Sequence, residues 1–522
     1  MTGLATQTSL AGGEMTNTAF DEQGAAGAVA AHSGIRTILQ WLESPMAPHP
    51  AEELPSLRAQ VKAWHEVGGS PQQRALALNG LYERSSSVVA ALLPELTELL
   101  LPIPRKSRRL VRSVLDLLQM LADDTLEMVE GVAPHDTSDR HQAPDLALWR
   151  SLRALAQQLM ISHLIASPAP TGAWQQLHQT YALARSLHLE ATIPRGQTRK
   201  LQHIYQAAIL LGCAQPASLT AREVVFLAAY LERFAGQIEP LSAEAAAAAA
   251  PGTFWVDPTR DAPALPYSRK LAPSTAPLEY FSCAGLGLLL KTQIAQLNAG
   301  TSAEEIGLPE LASTPAGVGV LRRLAGRWSD FGKRRFHRRR QGYRAVLGTG
   351  IEGLWHLCKE GDTAAVELSS WMITNESPDG YAIRHVSGKI STVSVGNVVA
   401  VRTGDEKNWQ ICLVRWAVSE NPEDLELGLQ ILAPKAVPAI LARPGDGEGT
   451  EHLRVLVLPE IPSLRPSQLL IVASGALTQN SGKLLLVIED ENLVVREVKS
   501  IGIDEQTGSV DILAIQPDAT HF

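Results

Sequence analysis

The spacing of apolar residues changes once along this chain of 522 residues. Up to about Gln237 they recur at three- and four-residue steps, the spacing that lines one face of a helix. Leu110, Val111, Val114, Leu117, Leu118 and Leu121 form one such stripe after Ser107, and residues 145–165 and 174–187 repeat the style. Thr220-Ala-Arg-Glu223 is a capping box, so a helix carrying Val224, Val225, Leu227, Ala228 and Leu231 is predicted to begin there. Helical spacing returns over 283–297 and around 320–328. After about Ala364 the period becomes two. Residues 366–374, 381–386, 389–395, 398–402, 409–418 and 425–432 are short alternating runs. Turn-forming segments such as Ser377-Pro-Asp-Gly380, Ser387-Gly388, Gly404-Asp405 and Asn421-Pro422 separate them. Six such strands predict a small antiparallel β-barrel. Further strands are predicted at 453–458, 468–473, 483–489, 493–499 and 509–515, a second β domain.

The expected fold class is therefore multidomain α plus β. A tail over 1–33, rich in Gly, Ala, Ser and Thr, precedes an all-α helical array over 34–239. A Pro- and Ala-rich connector follows over 240–280, pinned to a domain surface by Phe254, Trp255 and Tyr267, then a helical segment over 281–332. The six-stranded barrel takes 333–434, a Pro- and Gly-rich linker 435–450, and the second β domain 451–522. Trp174-x-x-Leu177-x-x-x-Tyr181 has the spacing that opens a tetratricopeptide repeat, but His178 occupies the glycine position and no second copy follows at that period. The helices thus read as an irregular array, suited to docking an unidentified protein partner.

Charge and cysteines narrow the class. Lys+Arg total 46 against 54 Asp+Glu, a net charge of −8, so any polyanion site has to be a local basic patch. The 4 cysteines, Cys213, Cys283, Cys358 and Cys412, form no CxxC pair, which disfavours a disulfide scaffold or zinc ribbon and fits a reducing compartment. Cys358 and Cys412 lie in apolar surroundings and are expected to be buried. The start of the chain has no secretory pattern. The most apolar window, 87–104, is broken by Glu95, Glu98, Pro94, Pro102 and Pro104, so a cytoplasmic protein without membrane insertion is expected. Gly285-Leu-Gly287 lacks the third glycine of a phosphate loop. His135 and His141 stand in a polar stretch without a metal-binding helix. No GxSxG elbow and no GGDEF signature occurs, so neither an enzyme, a cofactor nor a metal is expected.

Two features carry the candidate chemistry. Lys333-Arg-Arg-Phe-His-Arg338-Arg339-Arg340-Gln-Gly-Tyr-Arg344 places seven formal positive charges in twelve positions without an acid. Asn375-Glu-Ser377-Pro-Asp-Gly380 puts two polar side chains on one face of a strand, then a turn whose glycine lets backbone approach a ligand.

In order and spacing, Arg340-x-x-x-Arg344 followed by Asn375-x-Ser377-x-x-Gly380 resembles the PilZ domain family, in which RxxxR and [DN]xSxxG bind cyclic di-GMP. Val395-Gly-Asn397, the 409–416 strand and Leu427-Gly428-Leu429 resemble its barrel strands, and the likeness spans about 335–434. It implies a bacterial receptor for that second messenger with Arg339, Arg340, Arg344, Asn375, Ser377 and Gly380 at the ligand. Guanidiniums fork onto phosphate or onto guanine O6 and N7, which a lysine cannot do. Arg334/Arg338 and Arg335/Arg339 offer alternative registers of RxxxR. In this reading the arginines sit on a mobile lead segment that clamps the ligand. Residues 348–361 read as a short helix or insertion rather than as a strand. Were that segment to plug the site, a scaffold without ligand would be the alternative; nucleic-acid binding through 333–344 is a third reading.

Overall fold

The computed structural model describes residues 34–130, 143–248, 251–267, 277–329, 336–360, 363, 366–390, 392–404, 408–421, 424–442, 452–461, 467–477, 484–489 and 493–517. The His135–His141 stretch and Lys333–Arg335 lie outside the described residues.

The first half is helical: α1 (34–43), α2 (Pro50–Glu66), α3 (Pro71–Thr97), α4 (Arg105–Glu130), α5 (Pro144–Leu164), α6 (Ala173–Ser186), α7 (Leu201–Cys213) and α8 (Ala221–Phe234). The capping box starts α8 as expected: the Glu223 amide donates to Thr220 Oγ1 at 3.2 Å, and the Thr220 amide donates to Glu223 Oε2 at 2.8 Å. The Trp174–Tyr181 motif is packing. His178 is buried between the Tyr205 hydroxyl (2.9 Å) and the Ala262 carbonyl (3.0 Å), and Tyr181 stacks on Tyr205 with ring centres 3.9 Å apart.

The stretch expected as a connector is not simply one. Besides the short α9 (Ala243–Ala248), it holds β1 (Glu239–Leu241), β2 (Thr253–Val256), β3 (Leu265–Pro266) and β4 (Glu279–Ser282), an antiparallel sheet in the order β1-β4-β2-β3. All of β2 is buried, and Phe254 stacks on Phe281. Strands of two to four residues between prolines leave no sustained alternation, which hid them. α10 (Ala284–Asn298), which contains Gly285 and Gly287, and α11 (Pro315–Ser329) close the helical core, which runs from Ile35 to Trp328.

The first barrel is closed in the order β10-β7-β6-β5-β8-β9. Its strands are β5 (Arg339–Thr349), β6 (Leu368–Ser377), β7 (Gly380–Ser387), β8 (Val398–Thr403), β9 (Gln410–Asn421) and β10 (Asp424–Ala433). Six strands were expected, but the 389–395 run is not one of them. It makes a single bridge, Val393 to Leu101 of the helical half. The sixth strand is β5, which takes up Arg339, Arg340 and Arg344 and so corrects their assignment to a mobile lead segment. Its first four residues are all exposed, so the sequence offers no buried face to mark a strand there.

The second β domain is also a closed barrel, in the order β11-β12-β13-β16-β15-β14. Its strands are β11 (Val437–Ala442), β12 (Leu453–Leu458), β13 (Gln468–Ala473), β14 (Leu484–Glu489), β15 (Leu493–Gln506) and β16 (Val510–Pro517). β11 falls inside the stretch expected as a linker, where Pro438 disguised it; Pro438 sits second in that strand. β8 reads as an unbroken apolar run because both its faces are covered. Val399 and Val401 point into the barrel, while Val398 and Ala400 join a core shared with Leu456, Leu458, Ile471 and Ile512 of the second barrel. α12 (Ile351–Glu360), in the segment expected as a helix or insertion, contributes Leu354, Trp355 and Leu357 to that shared core. No described helix is long and apolar enough to cross a membrane. All four cysteines are free; Cys213, Cys283 and Cys412 are buried and Cys358 is half-buried.

Candidate ligand-binding site

The two motifs meet on the β5–β6 ladder. Arg340 is the register partner of Asn375 and Arg339 that of Glu376, so residues 35 or more positions apart in sequence face each other across one strand pair. Antiparallel pairing with a tight β6–β7 turn produces this: Ser377 pairs with Gly380, and the Ser377 hydroxyl donates to the Gly380 carbonyl at 3.2 Å. A Cβ on Gly380 would lie 1.9 Å from the Leu429 carbonyl oxygen, so only glycine allows β7 to run this close to β10.

Arg344 is placed differently. A bulge between Arg340 and Tyr343 sets two residues of β5 against one of β6, and Arg344 then pairs with Met372 and is exposed. Asn375, Ser377 and Gly380 line a cavity of about 200 Å³ together with Arg338, Asp379, Trp416 and Gln430. Arg339, Arg340 and Arg344 stand outside that lining, with Arg339 and Arg340 on the adjoining exposed strand. Among the described residues Arg338 has no ion-pair partner and the Asn375 amide no hydrogen bond. The cavity therefore presents a guanidinium and an amide that are both available to a ligand.

Trp416 was not singled out from the sequence. Its indole lies over Gly428, its register partner in β10, where a Cβ would come within 1.8 Å of Nε1. A second bulge lies beside it: Trp416 pairs with Gly428 and Val414 with Leu429, which leaves Arg415 as the extra residue. Both Arg415 and Trp416 consequently line the cavity. The Leu427-Gly428-Leu429 triplet was the available signal, since a glycine inside a strand marks a close approach.

α12 contributes nothing to the cavity wall. Instead it turns to the second barrel. Trp355 Nε1 donates to the Ala439 carbonyl at 2.8 Å, Lys359 pairs with Glu489 at 2.7 Å, and Glu352 pairs with Arg454. The barrel also sits on the helical half, where Arg108 donates to the Ser419 carbonyl at 3.2 Å and the Ser419 amide donates to the Ala166 carbonyl at 2.9 Å.

A closed six-stranded antiparallel barrel with an arginine-rich first strand set against Asn-x-Ser-x-x-Gly defines a PilZ-type receptor domain. Comparison with known proteins agrees. Residues 356–438 match the family described as the cyclic-di-GMP receptor FimW, middle PilZ domain, and residues 36–245 match the N-terminal domain of the same receptor. The PilZ match is thus confined to the first barrel and the start of the second, and the other match to the helical half. The first match includes Asn375, Ser377, Gly380 and Trp416 but begins after β5. Over 419 residues the chain is 22% identical to the cyclic-di-GMP receptor FimW of Pseudomonas aeruginosa, covering 64% of this chain and 67% of that protein. No solved structure is significantly similar to the chain.

Proposed function

We propose that this protein is a bacterial cyclic di-GMP receptor, acting in the cytoplasm and without a catalytic role, that binds the messenger at the edge of the first barrel and signals through protein contacts of its helical half. The observation that carries this reading is the cavity in which Arg338, Asn375, Ser377, Gly380 and Trp416 converge. Each wall matches a part of the ligand. A guanidinium forks onto phosphate oxygens or a guanine Hoogsteen edge, the amide and hydroxyl offer fixed donors and acceptors, and an indole face takes a purine. Arg339 and Arg340, exposed beside the cavity on β5, supply positive charge that draws in the dianion, and Arg344 extends that field along the strand. With α12 turned away, the ligand-free scaffold reading loses its main support.

Isothermal titration of the full chain with cyclic di-GMP tests the reading. Wild type is expected to bind, and Ser377→Ala, Asn375→Ala and Arg338→Ala each to weaken binding about ten- to a hundredfold, the worth of one charge-assisted contact. No heat at high micromolar ligand would end the proposal.

A further inference from the structure

A second cavity, of about 420 Å³, adjoins the first where the helical half meets both barrels, and Arg415 and Trp416 line the two alike. The far side of this junction cavity is built by Arg323 and Arg327 of α11, Ser218 of the turn between α7 and α8, and Glu223 in the first turn of α8.

Its charges are not balanced. Arg323 pairs with Glu223 at 2.6 Å through one end, but its Nε is buried without a partner among the described residues. Arg327 donates only to neutral oxygens, the Ala214 carbonyl and the Ser218 hydroxyl, and no carboxylate pairs with it among the described residues. Burial, reinforced by the like charge of Arg323, pushes the Arg327 guanidinium down to about 10. Arg415 is already matched by Glu505. Three guanidiniums therefore stand around this space against two carboxylates, and the surplus lies on α11.

Size points the same way. Clefts that take drug-sized ligands measure roughly 300–1,000 Å³. The barrel-edge cavity, at about 200 Å³, falls below that range. Space on both sides of the Trp416–Arg415 wall brings the site into that range.

We propose that the cyclic dinucleotide site continues past Trp416 into the junction cavity, where Arg323 and Arg327 of α11 take a phosphate or guanine edge of the ligand held at the barrel edge. This rests on the receptor reading above. It makes the helical half a part of the site rather than a distant recipient of its signal. Neither matched domain includes α11, so the contribution belongs to the part of the chain between them.

The test is calorimetric titration of the full chain with cyclic di-GMP for wild type, Ser377→Ala, Arg323→Gln and Arg327→Gln, with melting curves of each apo form. Both arginine variants are expected to lose about ten- to a hundredfold in affinity and most of the ligand-induced rise in Tm. If Arg327→Gln does not fold, Arg323→Gln, at the more open rim, carries the test alone. Wild-type affinity in a folded arginine variant, with Ser377→Ala still weakened, overturns the extension and leaves the barrel-edge site standing. Absence of binding by wild type overturns both.

Discussion

Arg415 of the first barrel holds Glu505 of the second with both Nη atoms, while its Nε donates to Gln430 at 2.6 Å in the wall of the candidate site. One guanidinium thus joins the ligand cavity to the neighbouring barrel. The pair is only partly buried, with side-chain exposures of 36% and 20%, so water screens much of its attraction. A double-mutant cycle of Arg415→Gln and Glu505→Gln, read by urea unfolding, is expected to give a coupling of about 1 kcal/mol. A coupling near zero would mean that the shared apolar core alone joins the barrels. Ligand affinity should fall further in Arg415→Gln than in Glu505→Gln, because only Arg415 lines the barrel-edge cavity.

Gly428 and Gly380 separate two kinds of crowding. At Gly428 a new methyl would meet the Trp416 indole, which is only half-buried and can swing aside. Gly428→Ala should therefore cost modest stability, about 1 kcal/mol, yet displace the aromatic face and weaken cyclic di-GMP severalfold. At Gly380 the methyl would meet the Leu429 carbonyl, which is backbone and cannot move without parting β7 from β10. Gly380→Ala should destabilise the first barrel by about 2–3 kcal/mol or more. Melting curves and titration of both variants check this. Equal stability losses would contradict the distinction.

How ligand affinity responds to salt distinguishes a nucleotide receptor from a nucleic-acid surface. Phosphate contacts of a polynucleotide release many counterions, so affinity would fall steeply with salt and track the number of basic residues removed from 333–344. A compact dianion in a cavity releases few. Between 50 and 200 mM salt, cyclic di-GMP affinity is expected to fall by less than about tenfold, with Ser377→Ala costing more than Arg344→Ala. The second expectation follows from the register, since Ser377 lines the cavity and Arg344 sits opposite Met372. Binding that responds to every basic residue alike would favour the nucleic-acid reading.

Much of this architecture was legible in the sequence, and what was not has physical causes. Helices marked by a three-to-four-residue stripe, such as α4, or by an explicit cap, such as α8, follow from local rules. Strands with one covered face, such as β7 and β10, do as well. β5 escaped because Arg339 to Gly342 are exposed and give no alternation, and β11 because a proline normally ends a ladder. Ordering along the chain revealed Asn375 and Ser377, but not which arginine faces them. That depends on the β5 bulge, a register shift that no spacing rule records. Trp416 was hidden for a related reason: its neighbour Gly428 lies a strand away, and the bulge at Arg415 decides which way the indole turns.

Acid stability should depend on two histidines of the helical half. His163 on α5 has its Nε2 sealed from solvent without a partner among the described residues, and burial pushes its pKa down from 6.5 to about 4. His178 is lowered as well, mainly by burial, although its bond to the Ala262 carbonyl opposes the effect. A histidine whose pKa is lowered in the folded chain is protonated first in the unfolded chain. Above about pH 6.5 neither state carries the proton and nothing is lost. As pH falls from there toward 4, the unfolded state gains a charge that the folded helix refuses, and stability drops. It stops dropping on this account below about pH 4, where the folded ring is protonated too. For His163 alone the full loss is roughly 3 kcal/mol. Carboxylates titrate in the same window, so the comparison that isolates the ring is wild type against His163→Gln. Urea unfolding at pH 7.5 and 4.5 should show the variant losing about 2–3 kcal/mol less than wild type between those two values. A stability difference that stays constant across that interval would mean that the ring reaches water or a proton donor in the folded protein.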